Sequence, residues 1–356
     1  MLIFDAHLDM AWNALEWNRD LMLPVTELRQ FESQFQGINP GAATTSWDAL
    51  RNGRVGITIC TLLPRLHRKD KVLTFYQSPE AAYGSCHGQL AYYRAMVRRG
   101  VLREISDARQ LESHLVDWVG GPSTGHPPIG FILSMEGSSG ILAPSQIEEW
   151  YKAGLRILGP AHYGPNRYCY GTGSTGGLKE EGPALLKEMD RVGMLLDATH
   201  LADQSFWEAL DIFQGPVLAS HHNCRALVPG DRQLADDQIK ALISRGAVIG
   251  AAFDAWMLTP GWKIGVTTPE NTPLTTVVDH IDHVCQIAGN ANHSGLGTDL
   301  DGGFGKEQTP HDLDTIADLN KIAEILDKRG YKRVDIEGIM YRNWVNFFLK
   351  AWGGKH

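Results

Sequence analysis

Apolar residues gather into eight short runs, each giving way to polar residues at its end: 2–9, 55–63, 129–136, 155–162, 194–200, 217–221, 247–253 and 294–299. Several runs are continuous instead of alternating, as parallel strands covered on both faces require. Between them the period lengthens. Residues 80–98 place Leu90, Tyr93 and Val97 at helical spacing, and helices are predicted likewise over 183–191, 203–213, 236–245, 276–287 and 312–328. Strand and helix therefore alternate along an α/β chain, and eight repetitions favour a closed (β/α)8 TIM-like barrel over an open, doubly wound sheet. The stretch carrying Gly171, Gly173, Gly176 and Gly177 lacks the spacing that joins a strand directly to a helix in a dinucleotide-binding fold.

Two segments stand outside the repeat. Over 334–349, Ile336, Ile339, Met340, Trp344, Phe347 and Phe348 recur at three and four residues, which predicts a closing C-terminal amphipathic helix. Its polar face is not strongly basic, so packing on the barrel is favoured over a membrane surface. Residues 19–50 read as a long excursion after the first strand, placed to roof the carboxyl end of the barrel, where this fold carries its active sites.

A chain of 356 residues, with its 38 Gly and 17 Pro dispersed instead of gathered into a linker, is expected to form a single domain over 1–356. The formal net charge of −8 and the lack of any long basic run argue against a nucleic-acid partner and for a small molecule. The N-terminus shows neither a basic lead nor a signal-like apolar stretch, and no segment approaches a membrane span, so a cytoplasmic protein without a membrane partner is expected. General symmetry considerations alone point to a homodimer. Cys60, Cys86, Cys169, Cys224 and Cys285 are widely spaced and odd in number, which predicts free thiols and leaves imidazole and carboxylate as the metal ligands available.

Those ligands gather at the ends of the predicted strands. In Asp5-Ala6-His7-Leu8-Asp9, the strand period of two points His7 and Asp9 the same way, so that both can reach one ion. Four further strands end in Glu136, His200, His221 and Asp299. A parallel barrel brings these ends together around one mouth, where so many ionisable groups would be costly to bury without a compensating charge. Two divalent ions would supply that charge; the alternative is a set of polar residues satisfied by capping the strands.

This order of strand ends resembles the renal or membrane dipeptidase family of the amidohydrolase superfamily, and the resemblance runs nearly end to end. It implies hydrolysis of dipeptides, some with a D-residue at the carboxyl end, by water activated between two metal ions, with Zn2+ the expected metal. His7 and Asp9 would hold the first ion, Glu136 would bridge, and His200 and His221 would hold the second. His162, in Leu158-Gly159-Pro160-Ala161-His162, would stabilise the tetrahedral intermediate. Arg232 would bind the substrate's terminal carboxylate, and Asp299 would act near the scissile group. Three departures are visible: His222 stands where many relatives have Ser, Tyr341-Arg342-Asn343 where they often have Gly-Gly-Asn, and the export signal of the lipid-anchored animal enzymes is missing. Trp12, Trp17, Tyr163, Tyr168, Phe253 and Trp256 lie near strand ends as candidates for the pocket wall. Hydrolysis of another small amide, a β-lactam or a lactone is the nearest alternative, and a non-catalytic, metal-stabilised binding protein the more distant one.

Overall fold

The computed structural model describes residues 1–34, 41–65, 76–119 and 127–353. Among the described residues, nine parallel strands form one sheet: β1 (Ile3–Leu8), β2 (Val55–Leu62), β3 (Leu102–Glu104), β4 (Ile129–Glu136), β5 (Ile157–Gly159), β6 (Leu195–Asp197), β7 (Val217–Leu218), β8 (Ile249–Ala251) and β9 (Ser294–Leu296). Their order is β7-β6-β5-β4-β2-β1-β9-β8, and a lone bridge from Ala219 to Ile249 joins β7 to β8. The eight expected strands thus make a near-closed parallel barrel flanked by helices. The residues of β1, β2 and β4 are buried throughout, which is why their sequences read as continuous apolar runs.

β3 was not foreseen. It is three residues long with one apolar side chain, too short for a period, and it pairs with Ile129, Gly130 and Phe131 while β5 pairs with Ser134, Met135 and Glu136. The predicted strands are also shortened at their carboxyl ends: the runs ending at His162, His200, His221 and Asp299 leave the ladder three residues earlier. Side chains take over the backbone donors there. Asp197 Oδ1 accepts from the amides of Thr199 and Ser220, both at 3.0 Å, and Asp5 Oδ1 accepts from that of Thr298 at 2.8 Å.

Helices Pro79–Arg98, Gly182–Val192, Asp203–Ile212, Asp236–Ser244 and Thr275–Ala288 fall within two residues of their predicted limits. The helix expected over 312–328 is shorter, Asn320–Lys328, because Thr315 and Asp318 form a capping box that opens with a tight turn, Ile316–Leu319. The expected closing helix is interrupted. Helices Arg333–Glu337 and Asn343–Gly353 are separated by a π-turn, Gly338–Arg342, which holds Tyr341 and Arg342. The segment closes the amino end of the barrel. Asn343 Nδ2 donates to the carbonyls of Ala291 and Ser294 at 2.6 and 2.8 Å, Trp344 Nε1 donates to that of Leu296 at 3.1 Å, and Phe348 stacks on Phe4 at 5.7 Å.

The excursion after β1 contains helices Val25–Glu32 and Trp47–Asn52, and its residues 35–40 lie outside the described residues. It is anchored at the carboxyl end of the barrel through buried Asp301, just past β9. Asp301 accepts from the amides and hydroxyls of Thr44 and Thr45 at 2.6–3.1 Å and pairs with Arg19 at 3.2 Å. Among the described residues, no helix is long and apolar enough to cross a membrane.

Candidate metal centre

The barrel places its chemistry by a simple rule. β5, β6, β7 and β9 end at Gly159, Asp197, Leu218 and Leu296, and His162, His200, His221 and Asp299 each follow their strand by three residues. Glu136 is the last residue of β4, His7 lies inside β1, and Asp9 follows it directly. Two of these residues occupy the left-handed region, His200 at φ 68° and Asp299 at φ 59°, conformations that cost energy in a non-glycine residue and gather at functional sites.

The side chains converge. Glu136 Oε1 lies 3.0 Å from His200 Nε2 and 3.2 Å from His221 Nε2, while Oε2 lies 3.6 Å from His7 Nε2. His7 Nε2 is also 3.7 Å from Asp9 and 3.8 Å from Asp299. Three sets of ligand atoms fall within 4.8 Å of one another: His7, Asp9 and Glu136; Glu136, His162 and His200; His7, His221 and Asp299. His222 is buried but belongs to none of these sets.

The imidazoles are aimed from behind. Thr172 Oγ1 lies 2.8 Å from His200 Nδ1 and Ser220 Oγ 2.8 Å from His221 Nδ1, so each ring turns its Nε2 inward. Asp197 fixes the backbone before His200 and His221 by accepting from the amides of Thr199 and Ser220, and Asp5 accepts from the amides of His7 and of Thr298, just before Asp299. These four supporting residues were missed. Asp5 and Asp197 stand in the motifs that carry His7 and His200, but one sequence gives no sign that a carboxylate will turn to the backbone. Thr172 belongs to the glycine-rich loop, whose spacing excluded a nucleotide role without offering another.

The electrostatics call for positive charge. Burial works against ionising His7, yet the carboxylates of Glu136 and Asp9 overcome it and hold its pKa well above the usual imidazole range. Burial pushes Asp299 well above the carboxylate range, with His7 opposing and Glu136 and Asp9 adding to the shift. Burial also keeps His200 and His221 neutral, the state in which imidazole binds metal. Left to themselves, the carboxylates draw protons into the cluster; cations would take that place. Among the nominated ligands, four buried atoms have no hydrogen-bond partner: His7 Nε2, Asp9 Oδ1, Glu136 Oε1 and His221 Nε2. Buried polar atoms normally find partners, so the residues present fit a pair of divalent ions.

Above the cluster opens a cavity of about 350 Å³. Its wall includes His162, Tyr163, Arg232, Trp256 and Phe304. Arg232 is 1% exposed; its Nη2 donates to the carbonyl of His221 at 3.0 Å, while Nε and Nη1 have no partner. Of the aromatic candidates, Tyr163 and Trp256 line the cavity, and Tyr163 also packs against His200 at 5.0 Å. Trp12, Trp17, Tyr168 and Phe253 do not line it; Tyr168, for one, is buried with its hydroxyl on the carbonyl of Ile141.

A near-closed parallel barrel with a potential binuclear metal site at the carboxyl ends of its strands is the architecture of a metal-dependent hydrolase. The chain belongs to the membrane dipeptidase family, peptidase family M19, whose sequence profile matches residues 1–352. An uncharacterised protein of the pqqA 5′ region of Klebsiella pneumoniae is 30% identical over 234 residues, covering 63% of this chain and 83% of that protein. Dipeptidase tcpJ of Claviceps purpurea is 28% identical over 61% of this chain, and the match spans only 50% of that longer protein. The same fold occurs in a metallopeptidase from Rhodobacter sphaeroides, solved with a phosphinate mimic of L-Ala-D-Ala: TM-score 0.79, 21% identity and 99% coverage of both chains.

Proposed function

We propose that this chain hydrolyses dipeptides with a free terminal carboxylate, including those with a D-residue at the carboxyl end, and that its two metal ions are Zn2+. The observation that carries this reading is Glu136, one oxygen facing His7 and the other facing both His200 and His221. His7 and Asp9 would hold one ion, His200 and His221 the other, with Glu136 between them. Such a pair supplies Lewis acidity toward a carbonyl and lowers the pKa of a water molecule toward neutrality.

The chain's own groups do the rest. Arg232 keeps donors on Nε and Nη1 that no protein group uses, and through one of these faces it pairs with the substrate carboxylate, which fixes the scissile amide over the cluster. Asp299 takes a proton from the attacking water on its carboxylate and passes it to the departing amine nitrogen as the C–O bond forms and the C–N bond breaks. Burial, with Arg65 and Arg232 adding to it against the pull of Glu136, lowers His162 to about 4. A neutral His162 donates a hydrogen bond to the carbonyl oxygen as charge develops there. The inclusion of D-residues draws on the mimic bound by the Rhodobacter sphaeroides enzyme and on the family's association with dipeptides.

A panel of L,L- and L,D-dipeptides, assayed with Zn2+ or Mn2+ added, tests the reading. Turnover of dipeptides above other amides, β-lactams and lactones is expected; turnover of only the latter would replace the substrate, and none at all would favour a binding protein. The supporting hydroxyls give a finer check. Thr172→Val removes the group behind His200 Nδ1 with little change in shape, and metal affinity is expected to fall by about 10- to 100-fold. Competition against a chelator measures it, and an unchanged affinity would show that this hydroxyl does not support a metal-binding His200.

A further inference from the structure

The three-residue rule that places His162, His200, His221 and Asp299 has a fifth instance. β8 ends at Ala251, and three residues later stands Asp254, 6% exposed and on the wall of the same cavity as Arg232. Its Oδ1 accepts from Gln308 Nε2 at 2.8 Å and weakly from the amide of Trp256 at 3.4 Å, which holds the carboxylate in place. Both of these donors are neutral, and Asp254 belongs to none of the metal-ligand sets. The nearby Arg232 charge favours its ionised form, less than the Gln308 and Trp256 hydrogen bonds do. A buried carboxylate on a cavity wall, held by neutral donors only, is a costly arrangement that a cationic ligand would relieve.

We propose that Asp254 is a specificity residue that receives a cationic side chain on the substrate's carboxyl-terminal residue. This rests on the dipeptidase reading, which places the terminal carboxylate at Arg232 and so that residue's side chain in the cavity whose wall Arg232 and Asp254 share. Burial pushes the Asp254 carboxyl up to about 7 against the opposing effects of Gln308, Trp256 and Arg232. An ammonium group beside it would favour the ionised form and give a charge-assisted hydrogen bond. Trp256 and Met257 on the same wall offer apolar surface for the stem of a long side chain.

The test compares Ala-Lys with Ala-norleucine, each with an L and a D carboxyl-terminal residue, on the metal-loaded enzyme. Norleucine keeps the stem and removes the charge. Wild type is expected to prefer lysine by about 10- to 100-fold in kcat/KM, and Asp254→Asn to bring that ratio close to one. Because both substrates are read on one preparation, the ratio does not depend on how much of the variant folds, and Asp254→Ser should reproduce it. Wild type turning over both dipeptides equally would overturn the proposal while leaving the dipeptidase reading in place. So would a variant that loses rate on both alike, the mark of a carboxylate that binds the substrate's α-ammonium or positions Arg232. Absence of turnover on every dipeptide would overturn the dipeptidase reading and this proposal with it.

Discussion

Glu136→Gln is expected to lower kcat/KM by about a thousandfold or more while leaving the fold intact. An amide matches the carboxylate in volume but offers one good ligand oxygen in place of two, and Glu136 is the residue that faces His7 on one side and His200 and His221 on the other. A metal pair contributes several kcal/mol of transition-state stabilisation, and each 1.36 kcal/mol is a factor of about ten. Circular dichroism should be unchanged and metal content should fall. A variant that keeps both ions and its rate would show that Glu136 does not bridge.

Arg232→Met is expected to cost about 30-fold to several thousand-fold in kcat/KM on dipeptides. Removing one partner of a buried, charge-assisted pair typically costs about 2–5 kcal/mol. Met keeps much of the stem and removes the fork, including the two nitrogens that have no partner of their own. The informative measurement sets a dipeptide against its carboxyl-terminal amide in both enzymes. Wild type should prefer the free acid strongly, and the variant should lose most of that preference. Equal losses on both substrates would instead make Arg232 a support for His221, whose carbonyl it already holds at 3.0 Å.

The barrel and its ligands were legible because they rest on local patterns. Continuous apolar runs mark strands buried on both faces, and a parallel barrel necessarily gathers their carboxyl ends, so Glu136, His200, His221 and Asp299 could be grouped before any distance was known. What the runs concealed was where each strand stops. The predicted runs extend to His200 and His221, while the strands end at Asp197 and Leu218: Ala198 and Ala219 still donate to backbone carbonyls, and Asp197 then takes the amides of Thr199 and, across the strands, Ser220. That contact spans separate strands and leaves no periodic trace. Thr172, Gln308 and Asp254 escaped for the same reason, their partners lying 28 and 54 residues away in the chain. The π-turn inside the closing segment was hidden differently: Ile339 and Met340 keep the helical apolar spacing straight through it, and Asn343, which ties the segment to the start of β9, reads as one more polar position.

The central claim, a cluster built to hold two divalent ions for hydrolysis, is tested most directly by elemental analysis of protein purified without chelator, followed by stepwise return of Zn2+ to the stripped chain while dipeptide turnover is recorded. About two ions per chain are expected, with activity requiring the second equivalent. A well-folded, unstripped sample with no bound metal, or full activity at a single equivalent, would contradict it.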